Sequence, residues 1–160
     1  MFDNFGEFNS CEEINESAEG LFNEGDVESL KTLAKENGIP EEIVKMYIEG
    51  DIPELCDAEM AAVGKIDVEV EDLKPQEIMV DWIEYLKVQV MSGDEELARN
   101  VRKKGKSLKG MVAALLKWSF GHQQQIDKGI LDAAGVKARV TLGIPGMGRA
   151  KKIIREYYGG

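Results

Sequence analysis

Apolar residues recur every three to four positions along most of this chain, which is the spacing of an amphipathic helix. Within residues 10–50 the spacing appears in three stretches, 10–25, 26–38 and 40–50. Each stretch opens on a capping residue or a proline and closes at a glycine, as helices usually do. The pattern predicts three short acidic helices in an antiparallel stack.

The widest apolar faces lie in the second half of the chain. Pro75 opens a strong helix, and Ser107 precedes LKGMVAALLKWSFG, whose apolar residues leave only a narrow polar strip. A helix that is apolar nearly all round is usually buried. We therefore predict an all-α protein, a compact helical bundle around a buried central helix at about residues 107–121. A closing helix is predicted at roughly residues 147–158.

Residues 65–74 depart from the helical spacing. Apolar and acidic residues alternate in IDVEVEDL, which is the period of a strand. Because a single strand would have no partner here, an extended linker is the better prediction. This linker separates an acidic short-helix region, residues 1–64, from a helical core domain, residues 75–160.

Composition narrows the class of protein. The chain has 160 residues, 43% of them hydrophobic and 31% charged, which suits a globular protein with a sizeable core. Neither a membrane span nor a secretory signal is evident, so we expect a cytoplasmic protein that does not engage a membrane. Cys11 and Cys56 match no metal or redox spacing and are expected to be reduced thiols.

Charge is distributed unevenly along the chain. Residues 1–80 hold 22 Asp and Glu against 5 Lys and Arg, whereas residues 81–160 hold 8 against 15. The two halves therefore carry net charges of −17 and +7, within a total of −10. Such a polarised chain attracts some partners and repels others.

Residue types that catalysis requires are sparse. The single histidine, His122, stands at the end of the predicted central helix without a second histidine or a cysteine at ligand spacing. We interpret it as a polar residue at a helix end. No nucleophile or nucleotide-binding motif occurs, and the carboxylates are scattered. We therefore expect no enzyme activity, no metal and no cofactor.

Residues 144–148, with the sequence IPGMG, raise the question of phosphate binding. They match the core of the helix-hairpin-helix DNA binders, in which backbone N–H groups meet a phosphate at a helix start. Further along, Lys152 stands where that family commonly has a small residue. The segment is therefore either a turn before the last helix or a phosphate contact. The candidate contacts are Gly146, Gly148, Arg149, Lys151 and Lys152.

A second basic cluster lies where one predicted helix ends, near residue 105, and the next begins, near residue 107. Its members are Arg102, Lys103, Lys104, Lys106 and Lys109. These cations could neutralise several phosphates, or they could lie against the acidic helices of the same chain. No aromatic residue alternates with them, so stacking on single-stranded bases is not indicated.

Residues 81–120 contain the stretches DWIEYLKVQV and ELARNVRKKGKSLKGMVAALLKWSF, and LGIPGMGRAKKIIREYY follows near the end of the chain. In these stretches the second half of the chain resembles the PcfK-like proteins of conjugative elements in Firmicutes. The resemblance covers roughly residues 77–158 and leaves residues 1–64 outside. This chain has glycines and lysines where family members usually carry acidic residues and a Trp-Ala pair.

That family includes anti-CRISPR proteins, which inhibit the type II CRISPR effector nuclease. The resemblance implies a non-enzymatic inhibitor from a mobile element. An acidic surface could occupy the basic channel of such a nuclease, or the arginines that recognise the target-adjacent motif. Its partner would be the nuclease, with or without guide RNA, or another mobile-element protein. The candidate contacts are Glu12, Glu13, Glu16, Glu19, Glu41, Glu42 and Glu49.

Two further functions remain open from the sequence. One is a DNA-binding accessory or regulatory protein of a conjugative element, which would use the basic C-terminal half to bind duplex DNA. The other is a helical scaffold for another mobile-element protein. The inhibitor and the DNA binder differ in which charged half of the chain makes the contact.

Overall fold

The computed structural model describes residues 1–159 and confirms the prediction of an all-α helical bundle. Within these residues the chain forms nine helices and one pair of two-residue strands. In chain order the elements are α1 Cys11–Asn23, α2 Val27–Glu36, α3 Glu41–Glu49, α4 Ala58–Leu73, α5 Ile78–Met91, α6 Glu95–Arg102, α7 Leu108–Gly121, β1 Gln124–Gln125, α8 Lys128–Ala133, β2 Thr141–Leu142 and α9 Met147–Tyr157.

Three predicted helix starts are confirmed by capping hydrogen bonds, whereas α5 begins at Ile78 and not, as predicted, at Pro75. Ser10 Oγ accepts from the backbone N–H of Glu13 at 3.2 Å, which opens α1. Asp26 and Ser107 cap α2 and α7 in the same way. Each cap satisfies an N–H group that has no partner within its own helix.

The extended linker predicted at residues 65–74 is wrong, because α4 runs through this segment as far as Leu73. The buried positions of α4 follow helical spacing and include two charged residues, Lys65 and Glu69. Those two charges interrupt the apolar pattern, so alternation of the remaining residues resembles a strand. Core residues from before and after this segment belong to one hydrophobic cluster, so α4 joins the two parts.

The helix with the largest number of buried residues is α4, with seven, and not, as predicted, the helix at residues 107–121, with three. α4 contacts α5, α6 and α7. In α7 only Leu108, Met111 and Leu115 are buried, whereas Leu116 is 54% and Phe120 75% exposed. The reason is that α4 and α9 cover one side of α7 and leave its other apolar positions in solvent.

A contact between two backbones brings α4 against the turn after α2. A Cβ atom on Gly64 would overlap the carbonyl oxygen of Asn37, and one on Gly38 would overlap the backbone of Gly64. Gly38 also has a φ of 68°, a conformation that favours glycine. The acidic helix α2 therefore packs, through the turn that follows it, directly against α4.

Two buried cations connect α4, α6 and the N-terminal segment. The Lys65 ammonium donates to the Lys103 and Lys106 carbonyl oxygens, at 2.9 and 2.7 Å, and to Glu7 Oε1 at 2.7 Å. The Lys103 carbonyl oxygen lies at the C-terminal end of α6, where a cation complements the helix dipole. The Arg102 guanidinium donates to Asn37 Oδ1 at 2.6 Å and to backbone oxygens of other segments.

The segment between α7 and α9, residues 122–146, forms a small exposed subregion beside the bundle. β1 and β2 pair antiparallel, with Gln124 opposite Leu142, and α8 lies between them without a buried residue. Gly143 is buried against Ser119 and Gln123, while its neighbours Leu142 and Ile144 are exposed. This subregion therefore exposes large apolar side chains to solvent.

The Gly64 contact predicts opposite effects for two helical glycines. Gly64→Ala lowers the free energy of unfolding by about 1–3 kcal/mol or more, because the backbone of Asn37 cannot give way to the new methyl group. Gly20→Ala, in α1 with open space around it, raises that free energy by about 0.5–1 kcal/mol. Urea denaturation of both variants measures the difference. Equal stabilities would contradict the close contact.

Candidate functional site

Three of the predicted acidic residues line one open cavity. Glu12, Glu16 and Glu19 come from successive turns of α1 and face a cavity of about 610 Å³. Glu54, from the segment between α3 and α4, lies on its rim as well. We call this cavity the acidic groove. It gathers four carboxylates at a concave surface, where their potential is focused.

The acidic groove also has an aromatic wall. The rings of Phe22 and Tyr47 are 5.6 Å apart in an edge-to-face arrangement, and both residues line the cavity. Burial, together with the charge of Glu19, raises the pKa of Tyr47. Carboxylates beside an aromatic face form a favourable site for a guanidinium or ammonium group. Such a cation pairs with the carboxylates and stacks on the aromatic face.

Glu12 is already paired inside the molecule. Arg99 Nη1 donates to Glu12 Oε1 at 2.7 Å and Arg99 Nη2 lies 3.0 Å from Glu95. The hydrogen bond from Arg99 lowers the pKa of Glu12 to about 2. Glu12 therefore remains a carboxylate at any ordinary pH, but much of its charge is neutralised by its neighbour.

The remaining carboxylates of the groove are available to a partner. Among the residues that the structure describes, none donates a hydrogen bond or forms an ion pair with Glu16, Glu19 or Glu54. Glu16 and Glu19 are exposed and project from a helix whose other side is packed in the core. These groups give the groove its net negative charge.

The other predicted acidic residues lie outside the groove. Glu13 accepts at 2.7 Å from the backbone N–H of Asn9, the residue before the N-cap of α1, so its carboxylate is engaged at the start of that helix. Glu41, Glu42 and Glu49 line a different cavity, of about 430 Å³, together with lysines. The prediction therefore combined two separate acidic surfaces with one residue that is engaged within the fold.

Sequence reasoning missed part of the site. A second cavity of about 350 Å³ shares Glu12 and Glu54 with the groove and adds Asp57 and Glu59. Asp57 also caps α4 by accepting from Met60 at 2.8 Å. These residues lie far from α1 along the chain, and no local pattern indicated that they would meet it.

The basic cluster predicted around residue 102 is divided by the fold. Arg102 is 1% exposed, so its assignment as a phosphate contact is wrong. The N-terminal segment and the end of α2 cover its guanidinium. Burial lowers the pKa of Arg102, and oxygens from three segments satisfy its donors.

The lysines that follow Arg102 have different surroundings. Lys106 donates to the Tyr157 carbonyl oxygen at 2.6 Å and lies over the Tyr157 ring, so it is engaged within the fold. Lys103 and Lys104 are exposed. Lys109 pairs with Asp72 at 2.7 Å, and this contact raises the pKa of Lys109. Within the cluster, Lys109 therefore pairs with a carboxylate of α4, outside the three acidic helices predicted within residues 10–50.

The Pro-Gly-Met-Gly segment is the start of α9. Pro145 is buried and Gly146 is the exposed N-cap residue, followed by exposed Gly148 in the first turn. Three exposed cations follow on the helix. They are Arg149, whose guanidinium lies over the Trp118 ring, Lys151 over the Tyr85 ring, and Lys152. The segment therefore serves as a turn and also presents a basic edge.

The two cysteines lie in the core. Cys11 and Cys56 are free and buried, and burial raises their pKa values to about 11 and about 12. Within residues 1–159 no group of three His, Cys, Asp or Glu side chains could hold a metal ion. The helices found in this range are all too short or too polar to cross a membrane.

The described residues therefore present an open acidic groove and, separately, a basic edge at the start of α9. No family model, curated protein or solved structure matches this chain. Its function therefore has to be inferred from its own residues.

The ion pair of Glu12 predicts a measurable titration shift. In Arg99→Gln the pKa of Glu12 rises from about 2 toward its ordinary value of 4.5, because the main donor to the carboxylate is gone. In the wild-type protein the lowered pKa of Glu12 stabilises the folded state at pH values above 4.5, and this contribution is lost as the pH falls toward about 2. Carboxyl NMR titration measures the shift, with Lys103→Gln as the control. An unshifted Glu12 in Arg99→Gln would contradict the pairing.

Proposed function

We propose that this protein is a non-enzymatic inhibitor that binds the basic surface of a nucleic-acid-binding protein through its acidic groove. The carrying observation is that Glu16, Glu19 and Glu54 are unpaired around an aromatic wall in the part of the chain that the structure describes. Proteins that hold nucleic acid do so with arginines and lysines that contact phosphates. Carboxylates on a rigid helix can occupy those cations in place of the phosphates.

Electrostatics favours this mode of binding. Residues 1–80 carry a net charge of −17, which repels nucleic acid and attracts a basic channel. Complementary charge accelerates encounter and fixes the register of the two surfaces. The wall formed by Phe22 and Tyr47 adds a surface on which an arginine can stack. The inhibitor would therefore compete directly with nucleic acid for one surface.

The resemblance to PcfK-like proteins supports a particular partner, the type II CRISPR effector nuclease. Such a nuclease holds its RNA–DNA heteroduplex in a positively charged channel and recognises a short DNA motif with arginines. Either surface suits the charge of the groove. The proposed result is that the nuclease loses target binding or cleavage.

The decisive variant reverses the charge at two of the free carboxylates of the groove. Glu16→Lys with Glu19→Lys abolishes protection of target DNA in a cleavage assay with purified nuclease and guide RNA. Both residues are exposed and unpaired within residues 1–159, so their reversal leaves the fold intact. Wild-type protein protects in proportion to its concentration.

A matched control carries the same change of charge elsewhere. Glu42→Lys with Glu49→Lys alters the second acidic surface, on α3, and retains protection. If wild-type protein gave no protection at large molar excess, the proposal would be wrong. Equal loss in both double variants would show that total charge, and not the groove, is responsible.

A second candidate function is duplex DNA binding, favoured by the exposed basic edge of α9. Arg149, Lys151 and Lys152 occupy the first two turns of this helix. If the edge binds DNA, affinity falls steeply as salt rises, because bound cations release counterions from the phosphates. Lys151→Glu with Lys152→Glu then removes binding in a fluorescence titration, whereas Lys103→Glu with Lys104→Glu removes much less. Retained affinity in the first variant would exclude the α9 edge.

A further inference from the structure

Large apolar side chains in solvent are concentrated in one part of the molecule. Thirteen such residues are exposed within residues 1–159, and seven of them fall in residues 116–147. The seven are Leu116, Phe120, Ile130, Val136, Leu142, Ile144 and Met147. Exposed apolar side chains that are concentrated in one stretch of the chain favour a surface that another molecule covers.

The same part of the chain is basic. Residues 116–152, which we call the C-terminal arm, hold seven Lys and Arg against two Asp, Asp127 and Asp132. Lys137 and Arg139 are exposed in the loop between α8 and β2. Whatever covers the arm therefore has to present negative charge together with apolar surface.

Two occupants fit this description poorly. A second arm packed against the first would bring like charges together, which costs free energy. A nucleic acid would satisfy the cations but would leave Phe120, Leu142 and Ile144 without an apolar partner. An acidic protein surface that also exposes apolar groups satisfies both requirements.

Such a surface is present on this chain. The acidic groove is open, about 610 Å³ in volume, and its lining residues all lie between Glu12 and Glu54. The arm of the same molecule does not line it. The groove offers Glu16, Glu19 and Glu54 together with Phe22, which is itself exposed.

We propose that the C-terminal arm docks into the acidic groove of a second copy of this chain. Lys137 and Arg139 then pair with the groove carboxylates, while Leu142 and Ile144 cover its apolar wall. The contact is heterologous, so it builds a closed dimer when two arms exchange reciprocally and a longer assembly when they do not. Self-association also occupies the groove, and it therefore limits access of any other basic partner. This inference does not depend on the proposed inhibitor function.

The experiment is sedimentation equilibrium of the full chain over a wide range of protein concentration, at low and at high salt. Wild-type protein self-associates at low salt and does so more weakly at high salt, because screening reduces the attraction between exposed charges. Lys137→Glu with Arg139→Glu weakens association about tenfold or more, and so does Glu16→Lys with Glu19→Lys. Leu142→Ser with Ile144→Ser weakens it at both salt concentrations.

Mixing the two charge-reversed variants gives the sharpest result. The reversed arm of one variant meets the reversed groove of the other with complementary charge, so the mixture regains the association that is weakened in each variant alone. The control Glu42→Lys with Glu49→Lys associates as wild type does. Far-ultraviolet circular dichroism establishes that every variant is folded.

Three results would overturn the inference. The first is that wild-type protein is a monomer at every concentration in low salt. The second is that Glu16→Lys with Glu19→Lys associates as strongly as wild type does. The third is that the mixture of the two charge-reversed variants regains no association. DNA binding by a strictly monomeric protein, lost in Lys137→Glu with Arg139→Glu, would assign the arm to nucleic acid instead. Because no nuclease is present, failure of the inhibitor proposal leaves these measurements unchanged.

Discussion

The Arg102 guanidinium lies buried at the end of α6 and is satisfied by oxygens from three distant parts of the chain. Its partners are the carbonyl oxygens of Phe8 and Ala61 and the side-chain oxygen of Asn37. A buried cation without such partners would be very costly, so the N-terminal segment, α2 and α4 have to meet at this point. Lys65 reinforces the same junction through the carbonyl oxygens at the end of α6.

This junction places the acidic half of the chain on the basic half and sets the position of the groove. α1 begins just after Phe8, and Arg99, one turn before Arg102 on α6, holds Glu12 at the groove. Two arginines of one helix therefore hold the same contact, one in the core and one at the surface. Within residues 1–159 the groove carboxylates Glu16, Glu19 and Glu54 have no such partner.

Helix ends and local capping were predictable because they depend on neighbours in the chain. Ser10, Asp26 and Ser107 cap the helices that they were expected to cap. The errors arose where burial depends on distant partners. Residues 65–73 of α4 were mistaken for a linker because Lys65 and Glu69 are buried, although both residue types usually lie in solvent. α7 was placed at the centre because its composition is apolar, while its second face is uncovered.

The amino-acid sequence by itself determined the helical class, most of the helix boundaries and the separation of charge between the two halves. These properties follow from spacing and composition within a few residues of each position. Only the tertiary structure decided which charges are free. It buried Arg102, paired Glu12 and left Glu16 and Glu19 open beside Glu54, because solvent exposure and ion pairing depend on which distant segments pack together.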